Sequence, residues 1–170
     1  LMFFTRAGMY KDKGEYTSTR KEHFTWARRA DERMPFDGGS PLGYPFNVRS
    51  NYGGAAISVD NKLLILAAHN PVPSNPNNID LFTTEYHIEE RDDEGVQVYT
   101  WSELVPLDKA INSASGWEAQ PSLSGDGQTL LFAGARAEST PDKAGNPTMD
   151  LYMAKRLADG SWGQATLLPA

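Results

Sequence analysis

The sequence repeats itself, and this constrains the fold more than any other feature. The segment WEAQPSLSGDGQTLLFAGAR (117–136) is followed by a polar stretch and then by MDLYMAKRLADGSWGQ (149–164). Earlier in the chain, YGGAAISVDNKLLILAAHN (52–70) is followed by a polar stretch and then by IDLFTTEYHIEERDDEGVQVYTWSE (79–103). A repeat of this length indicates supersecondary units that bury their apolar faces only against one another.

The two copies share matched positions, and we predict that these positions define the repeat. The matched residues, with the glycine that completes one turn, are Asp60 and Asp126, Gly127, Asp80 and Asp150, and Trp101 and Trp162. A shorter third copy opens the chain, where residues 24–31 resemble residues 151–159. This copy lacks a segment equivalent to residues 121–127, so the chain is expected to begin inside a repeat.

Each full copy is predicted to form four antiparallel strands. In the last copy the predicted strands are 120–124, 129–134, 149–157 and 162–168. Asp-Gly pairs favour hairpin turns between strands, and residues 137–148 are predicted to form a long loop. The apolar run at 129–134 predicts burial on both faces. In the first copy, residues 34–46 are expected to replace the fourth strand.

Four antiparallel strands joined in a meander form one blade of a β-propeller. We therefore predict an all-β chain of about three blades, forming a partial propeller. Residues 1–170 would be part of one propeller domain, with an incomplete blade at 1–47 and further blades at 48–112 and 113–170. A closed propeller has about 4–8 blades, so an upstream strand is expected to pair beside residues 1–5.

Composition excludes several classes of protein. The net charge is −6 and the chain has no cysteine, which argues against nucleic-acid binding and excludes disulfides and cysteine-based zinc sites. No apolar run approaches the ~20 residues of a membrane helix. The three histidines, His23, His69 and His87, lack metal-ligand spacing, and no serine-hydrolase or phosphate-loop motif is present. We predict no catalytic, cofactor-binding or metal-binding residues.

The matched residues are instead predicted to be structural. Asp60 and Asp126 would bond backbone groups within turns. Asp80 and Asp150 would begin the third strand and accept hydrogen bonds from neighbouring backbone N–H groups. Trp101 and Trp162 would cover the sheet edge between blades.

One enzymatic alternative stays open. Glycosidases built on propellers use two carboxylates from different blades, and Asp37, Asp60 and Glu118 are candidates. The chain would then be the propeller part of a glycan- or peptide-hydrolysing enzyme whose active site includes residues outside this sequence.

The repeat resembles the TolB-like β-propeller repeat. The resemblance rests on the pattern from Pro121 to Phe132, on Asp150-Leu151-Tyr152 and on the turn 159–162. The linkers at 111–113 and 116–120 resemble those of OmpA-like, peptidoglycan-associated envelope proteins of Bacteroidota, some of which belong to the type IX secretion and gliding apparatus. His69-Asn70 departs from the family's pattern, which has an arginine there.

The resemblance implies a non-catalytic scaffold that binds proteins of the cell envelope. It implies a periplasmic location associated with the outer membrane, and contact with peptidoglycan through a domain outside this sequence. The loops 70–78 and 137–148 are the expected partner-binding rim, because they differ between copies.

Overall fold

The structure is a computed structural model that describes residues 2–12, 15–90, 97–114 and 116–169. Within these ranges the regular structure consists of strands and turns, without a helix, and every strand pairing is antiparallel. The predicted all-β, antiparallel class is therefore confirmed. In the same ranges no helix is long and apolar enough to cross a membrane.

The strands form three sheets that follow one another along the chain. The first sheet consists of β1 (Met2–Asp12), β2 (Glu15–Ala27) and β3 (Ser40–Pro41). The second consists of β4 (Tyr52–Ile57), β5 (Leu63–His69) and β6 (Ile79–Glu90), with β7 (Gln97–Trp101) and β8 (Val105–Pro106) both paired to β6. The third consists of β9 (Trp117–Leu123), β10 (Thr129–Ala135), β11 (Asp150–Lys155) and β12 (Thr166–Leu167). The division into blades at 47/48 and 112/113 stays a prediction.

The register of the short outer strands shows that the three sheets are equivalent. Thr25 pairs with Pro41 in the first sheet, Phe82 with Pro106 in the second and Tyr152 with Leu167 in the third. Two sequence-based expectations were wrong. The first copy does have a short outer strand, β3, at the place of the fourth strand of a full copy. Its proline lies on the edge of the sheet, where the missing N–H group is tolerated. The outer strand predicted at 162–168 is reduced to two residues.

Burial shows how the sheets are layered. Alternate residues of β5 enter two different cores. Ile65 and Ala67 pack with the third sheet, whereas Leu64 and Leu66 pack with the first. The second sheet is therefore covered on both faces and lies between the other two, which explains the unbroken apolar sequence of β5.

The third sheet buries only one face. Along β10, Leu130 and Phe132 are buried in the core against the second sheet, whereas the side chain of Leu131 is 38% exposed. The expectation that both faces of residues 129–134 are buried was therefore wrong. In the described residues no further sheet covers the outer face, so an apolar run alone did not distinguish a central strand from an outer one.

The sheets differ at one edge, where the second and third sheets have an inner strand and the first sheet has none among the described residues. β4 and β9 pair with β5 and β10 on the side away from β6 and β11. In the first sheet β1 takes the place of β5 and β10, since it pairs with β2 in the equivalent register. Among the described residues no strand pairs with the other edge of β1.

Candidate functional site

The matched aspartates of the hairpins make identical bonds. The Ser58 hydroxyl donates to Oδ1 of Asp60 at 2.5 Å, and the Ser124 hydroxyl donates to Oδ1 of Asp126 at 2.5 Å. In each hairpin the same oxygen also accepts the backbone N–H two residues later. Hydrogen bonds from these serines lower the pKa of both carboxyls below the ordinary value. The two aspartates are thus capping groups of turns.

The turn residue after each aspartate has a left-handed backbone. Gly127 has φ of 68° and its N–H donates to the Ser124 carbonyl at 2.8 Å. Asn61 has φ of 59° at the equivalent place and donates to the Ser58 carbonyl. Glycine and asparagine tolerate this conformation better than other residues, which explains why asparagine replaces glycine in the second copy.

The third-strand aspartates differ from one another. Oδ2 of Asp150 accepts the backbone N–H of Thr140 at 2.6 Å, as the sequence predicts. The side chain of Asp80 instead accepts the amides of Asn70 at 2.7 Å and Asn78 at 2.8 Å. Asp80 is buried, so two side-chain donors anchor the ends of loop 70–78 where the third sheet uses a backbone donor.

The two tryptophans have equivalent partners. Trp101 pairs with Tyr86 in the last ladder position of β7, and Trp162 forms a single bridge with Arg156. The ring of Trp101 contacts those of Phe3 (6.5 Å) and Phe46 (5.7 Å) between centroids. Because Phe3 belongs to β1, Trp101 joins the second sheet to the first.

Trp162 lies at the other side of the stack. Its ring packs against the core between the second and third sheets, and the Arg156 guanidinium lies 5.7 Å from its centroid. The matched tryptophans therefore fill similar places at the outer end of each sheet, but they face different cores.

The buried polar cluster between the second and third sheets is the strongest candidate for a site. Glu118 on β9 has no exposed surface, and Oε1 accepts the Ser113 hydroxyl at 2.6 Å and the Ser113 N–H at 3.1 Å. Arg136, 4% exposed, follows β10, and its Nε lies 3.6 Å from Glu118 Oε1. The guanidinium also lies 5.0 Å from the ring centroid of Tyr152.

The cluster continues toward the rim through hydroxyl groups. The Ser139 hydroxyl lies 2.7 Å from the Tyr152 hydroxyl and accepts the Arg136 N–H at 3.0 Å. Glu138 approaches Arg136 Nε from the solvent side at 3.3 Å. These contacts fix the start of loop 137–148 against the third sheet.

The environment of Glu118 changes its acidity. Burial raises the pKa of Glu118 to about 7, the nearby Asp80 carboxyl also raises it, and Ser113 and Arg136 lower it. A carboxyl with such a pKa is suited to proton transfer near neutral pH. However, Glu118 has no exposed surface, so it contacts no molecule outside the protein in this conformation.

The three candidate carboxylates are not brought together as a catalytic pair. Asp60 caps a hairpin, and Asp37 Oδ1 accepts the N–H groups of Arg28 and Gly39 in another turn. Both are exposed, whereas Glu118 is buried in the core. Sequence reasoning selected Glu118 as one of several carboxylates, and it missed Arg136, its buried partner.

The histidines lie on separate strands. His23 is on β2, His69 ends β5 and His87 is on β6. Nδ1 of His69 lies 2.9 Å from the Ser50 hydroxyl and Nε2 lies 2.7 Å from the Pro76 carbonyl. Among the described residues, no group of three or more His, Cys, Asp or Glu side chains has the geometry to hold a metal ion.

In the second sheet, Arg49 lies over the aromatic ring that is equivalent to the one beneath Arg136 in the third sheet. The guanidinium of Arg49 lies 4.5 Å from the ring centroid of Phe82, which is equivalent to Tyr152 under Arg136. His69 ends β5 and Asn70 follows it, where Arg136 follows β10. The arginine over the buried aromatic ring is therefore retained in both sheets, although its position in the sequence is not.

Comparison of the chain with protein-family models, with curated proteins and with solved structures gave no match.

Proposed function

We propose that this chain is part of a β-propeller that serves as a non-catalytic scaffold and protein-binding module in the cell envelope. The repeat resembles TolB-like repeats, so the proposed location is the periplasm, associated with the outer membrane. The proposed partners are envelope proteins, with peptidoglycan bound through a domain outside this sequence. The single observation that carries the proposal is that all the matched residues take part in turns, strand ends or packing between sheets.

The arrangement of the sheets supports the propeller. Three antiparallel meanders follow one another, and the second packs a face against each neighbour. This is the relation expected of consecutive blades. The residues that repeat are engaged in hydrogen bonds or cores, and a repeat of this kind supplies a frame without supplying chemistry.

The variable loops supply the proposed binding rim. Loops 70–78 and 137–148 follow the same ends of the equivalent strands β5 and β10, so both emerge at one end of the stack. Internal bonds shape each loop, for example between Val72 and Asn75 and between Asp142 and Asn146. Shaped, exposed loops on a rigid sheet are typical of recognition surfaces.

The competing hypothesis is the propeller part of an enzyme that hydrolyses glycans or peptides. The observation that favours it is Glu118, whose pKa is raised to about 7 by burial. The full burial of Glu118 and the separation of Asp37 and Asp60 on exposed turns favour the scaffold.

Loop replacement tests the scaffold. Residues 71–74 and 142–146 are replaced by Gly-Ser segments of equal length, which keeps the bonds of Asp80 to Asn70 and Asn78. We expect both variants to fold, because changes in exposed loops cost little stability. We expect them to capture much less of a specific envelope protein in a pull-down from envelope extract than the parent chain does.

The matched control is Val59→Ser, which changes an exposed residue at the opposite end of the second sheet. It should capture the partner as the parent does. Equal capture by the loop variants would reject the rim. Hydrolysis of a glycan or peptide by the parent chain, abolished by Glu118→Gln, would establish the enzyme instead.

A further inference from the structure

A groove opens where the three sheets meet at the rim. It has a volume of ≈ 680 Å³ and is wide open to solvent, so it is a shallow surface groove and not an enclosed cavity. The first sheet contributes two residues that pair across its strands, the second contributes three and the third contributes one. The lining residues are Ala7, Glu22, Asn51, Asn77, Ile79 and Trp117.

The lining is divided between an apolar base and polar groups. Trp117 and Ile79 are partly buried and pack against the core between the second and third sheets. Glu22, Asn51 and Asn77 are exposed. In the described part of the chain, the side chains of these three residues make no hydrogen bond to the protein. Their donors and acceptors therefore face solvent in the groove.

Two of these polar residues are held in place by their backbones. The Asn51 carbonyl accepts the His69 N–H at 3.0 Å, and Asn51 has φ of 55°. The Asn77 N–H donates to Oδ1 of Asn75 at 3.2 Å within loop 70–78. The backbones of both residues therefore need no reordering when a ligand binds, whereas their side-chain amides lose rotamer freedom.

We propose that this groove binds a neutral carbohydrate. Each asparagine amide presents both donors and an acceptor, which matches adjacent hydroxyl groups of a sugar. The indole of Trp117 is an apolar surface with one polar N–H group, which fits the C–H face of a sugar ring. The lining has one carboxylate and no cationic side chain, which disfavours phosphorylated and other anionic ligands.

The groove binds the sugar without cleaving it. Glycoside hydrolysis uses two carboxyl groups about 5–10 Å apart, and Glu22 is the one carboxylate in the lining. This proposal adds a small-molecule site to the proposed scaffold. If the groove binds no sugar, protein capture by the loops is unaffected, so the two proposals fail separately.

Titration of the full chain tests the site, with chitotriose, cellotriose and maltotriose as probes. Isothermal calorimetry and tryptophan fluorescence should detect saturable binding of at least one trisaccharide. Asn51→Gly, which keeps the left-handed backbone of this position, and Asn77→Ala should each weaken that binding roughly tenfold, the effect of losing one or two hydrogen bonds to the ligand. Gln164→Ala, an exposed amide outside the groove, should leave it unchanged.

Trp117→Phe serves as a second probe that keeps an aromatic ring in the core. It should shift the fluorescence response and retain weakened binding. The proposal is overturned if none of the three sugars binds, or if binding is equal in the two asparagine variants and in the parent. It is also overturned if an extended peptide binds the parent chain, the asparagine substitutions weaken that binding, and the sugars do not displace the peptide.

Discussion

Replacing Arg136 by methionine is expected to destabilise the protein by about 3–5 kcal/mol at pH 8, because a buried carboxylate then loses its counter-charge. The side chain of Arg136 lies between Glu118 and Glu138, and it is almost fully buried. At pH 5.5 the loss should be clearly smaller, since Glu118 is then neutral and needs no cation. Urea unfolding at the two pH values measures both losses.

The sign of the pH effect follows from the pKa of Glu118. Burial raises this pKa from 4.5 to about 7 in the folded protein. The folded state therefore binds more protons than the unfolded state between these values. The contribution of Glu118 to stability is fully present below about pH 4.5 and is lost as the pH rises through about 7. Glu118→Gln should remove this part of the pH dependence.

Two further variants separate the pair from its surroundings. Adding Glu118→Gln to Arg136→Met should recover much of the stability lost at pH 8, because no unpaired charge then remains. Glu138→Gln, which removes the solvent-side partner, should cost about 0–1 kcal/mol. An equal loss for Arg136→Met at both pH values would mean that packing, and not charge, explains the burial of this arginine.

Replacing Trp101 by alanine is expected to cost about 3–5 kcal/mol, as for other large-to-small changes in a core. The ring contacts Tyr86 on its own sheet at 4.8 Å between centroids, and it also contacts Phe3 of the first sheet and Phe46 of the segment between β3 and β4. Trp162→Ala should cost a similar amount, because its ring packs on the other core. Chemical denaturation of both variants measures these losses.

The control for the tryptophans is Ile88→Ala on β6. The side chain of Ile88 is 58% exposed, so its loss should stay within the ~0.5 kcal/mol that is typical of surface changes. If either tryptophan variant falls in the same range, the equivalence of Trp101 and Trp162 is only a likeness in sequence.

Local chemistry made the repeated turns predictable. A serine, an aspartate and a residue that tolerates positive φ determine a hairpin within a few positions, so Asp60 and Asp126 were placed correctly. The alternation in β5 could not be interpreted from the sequence, because each residue is apolar and the two cores differ only in which sheet covers them.

The candidate site was less predictable than the fold. Glu118 lies on β9 and Arg136 directly follows β10, and the pairing of these two strands brings the two side chains together. Whether a carboxylate is buried depends on the sheet that covers it, and no local pattern records this. Arg49 illustrates the same limit, since it takes the place of Arg136 over Phe82 from a different position in the chain.

Sedimentation of residues 1–170, over a concentration series and beside a thermal melt, tests the propeller most directly. Among the described residues the first sheet has no inner strand like β4 or β9, and an unpaired edge of β1 would expose backbone groups that favour pairing with another chain. If the sheets are blades of a larger propeller, the chain should associate with rising concentration or unfold without a single cooperative transition. A monodisperse monomer that melts cooperatively would contradict the proposal.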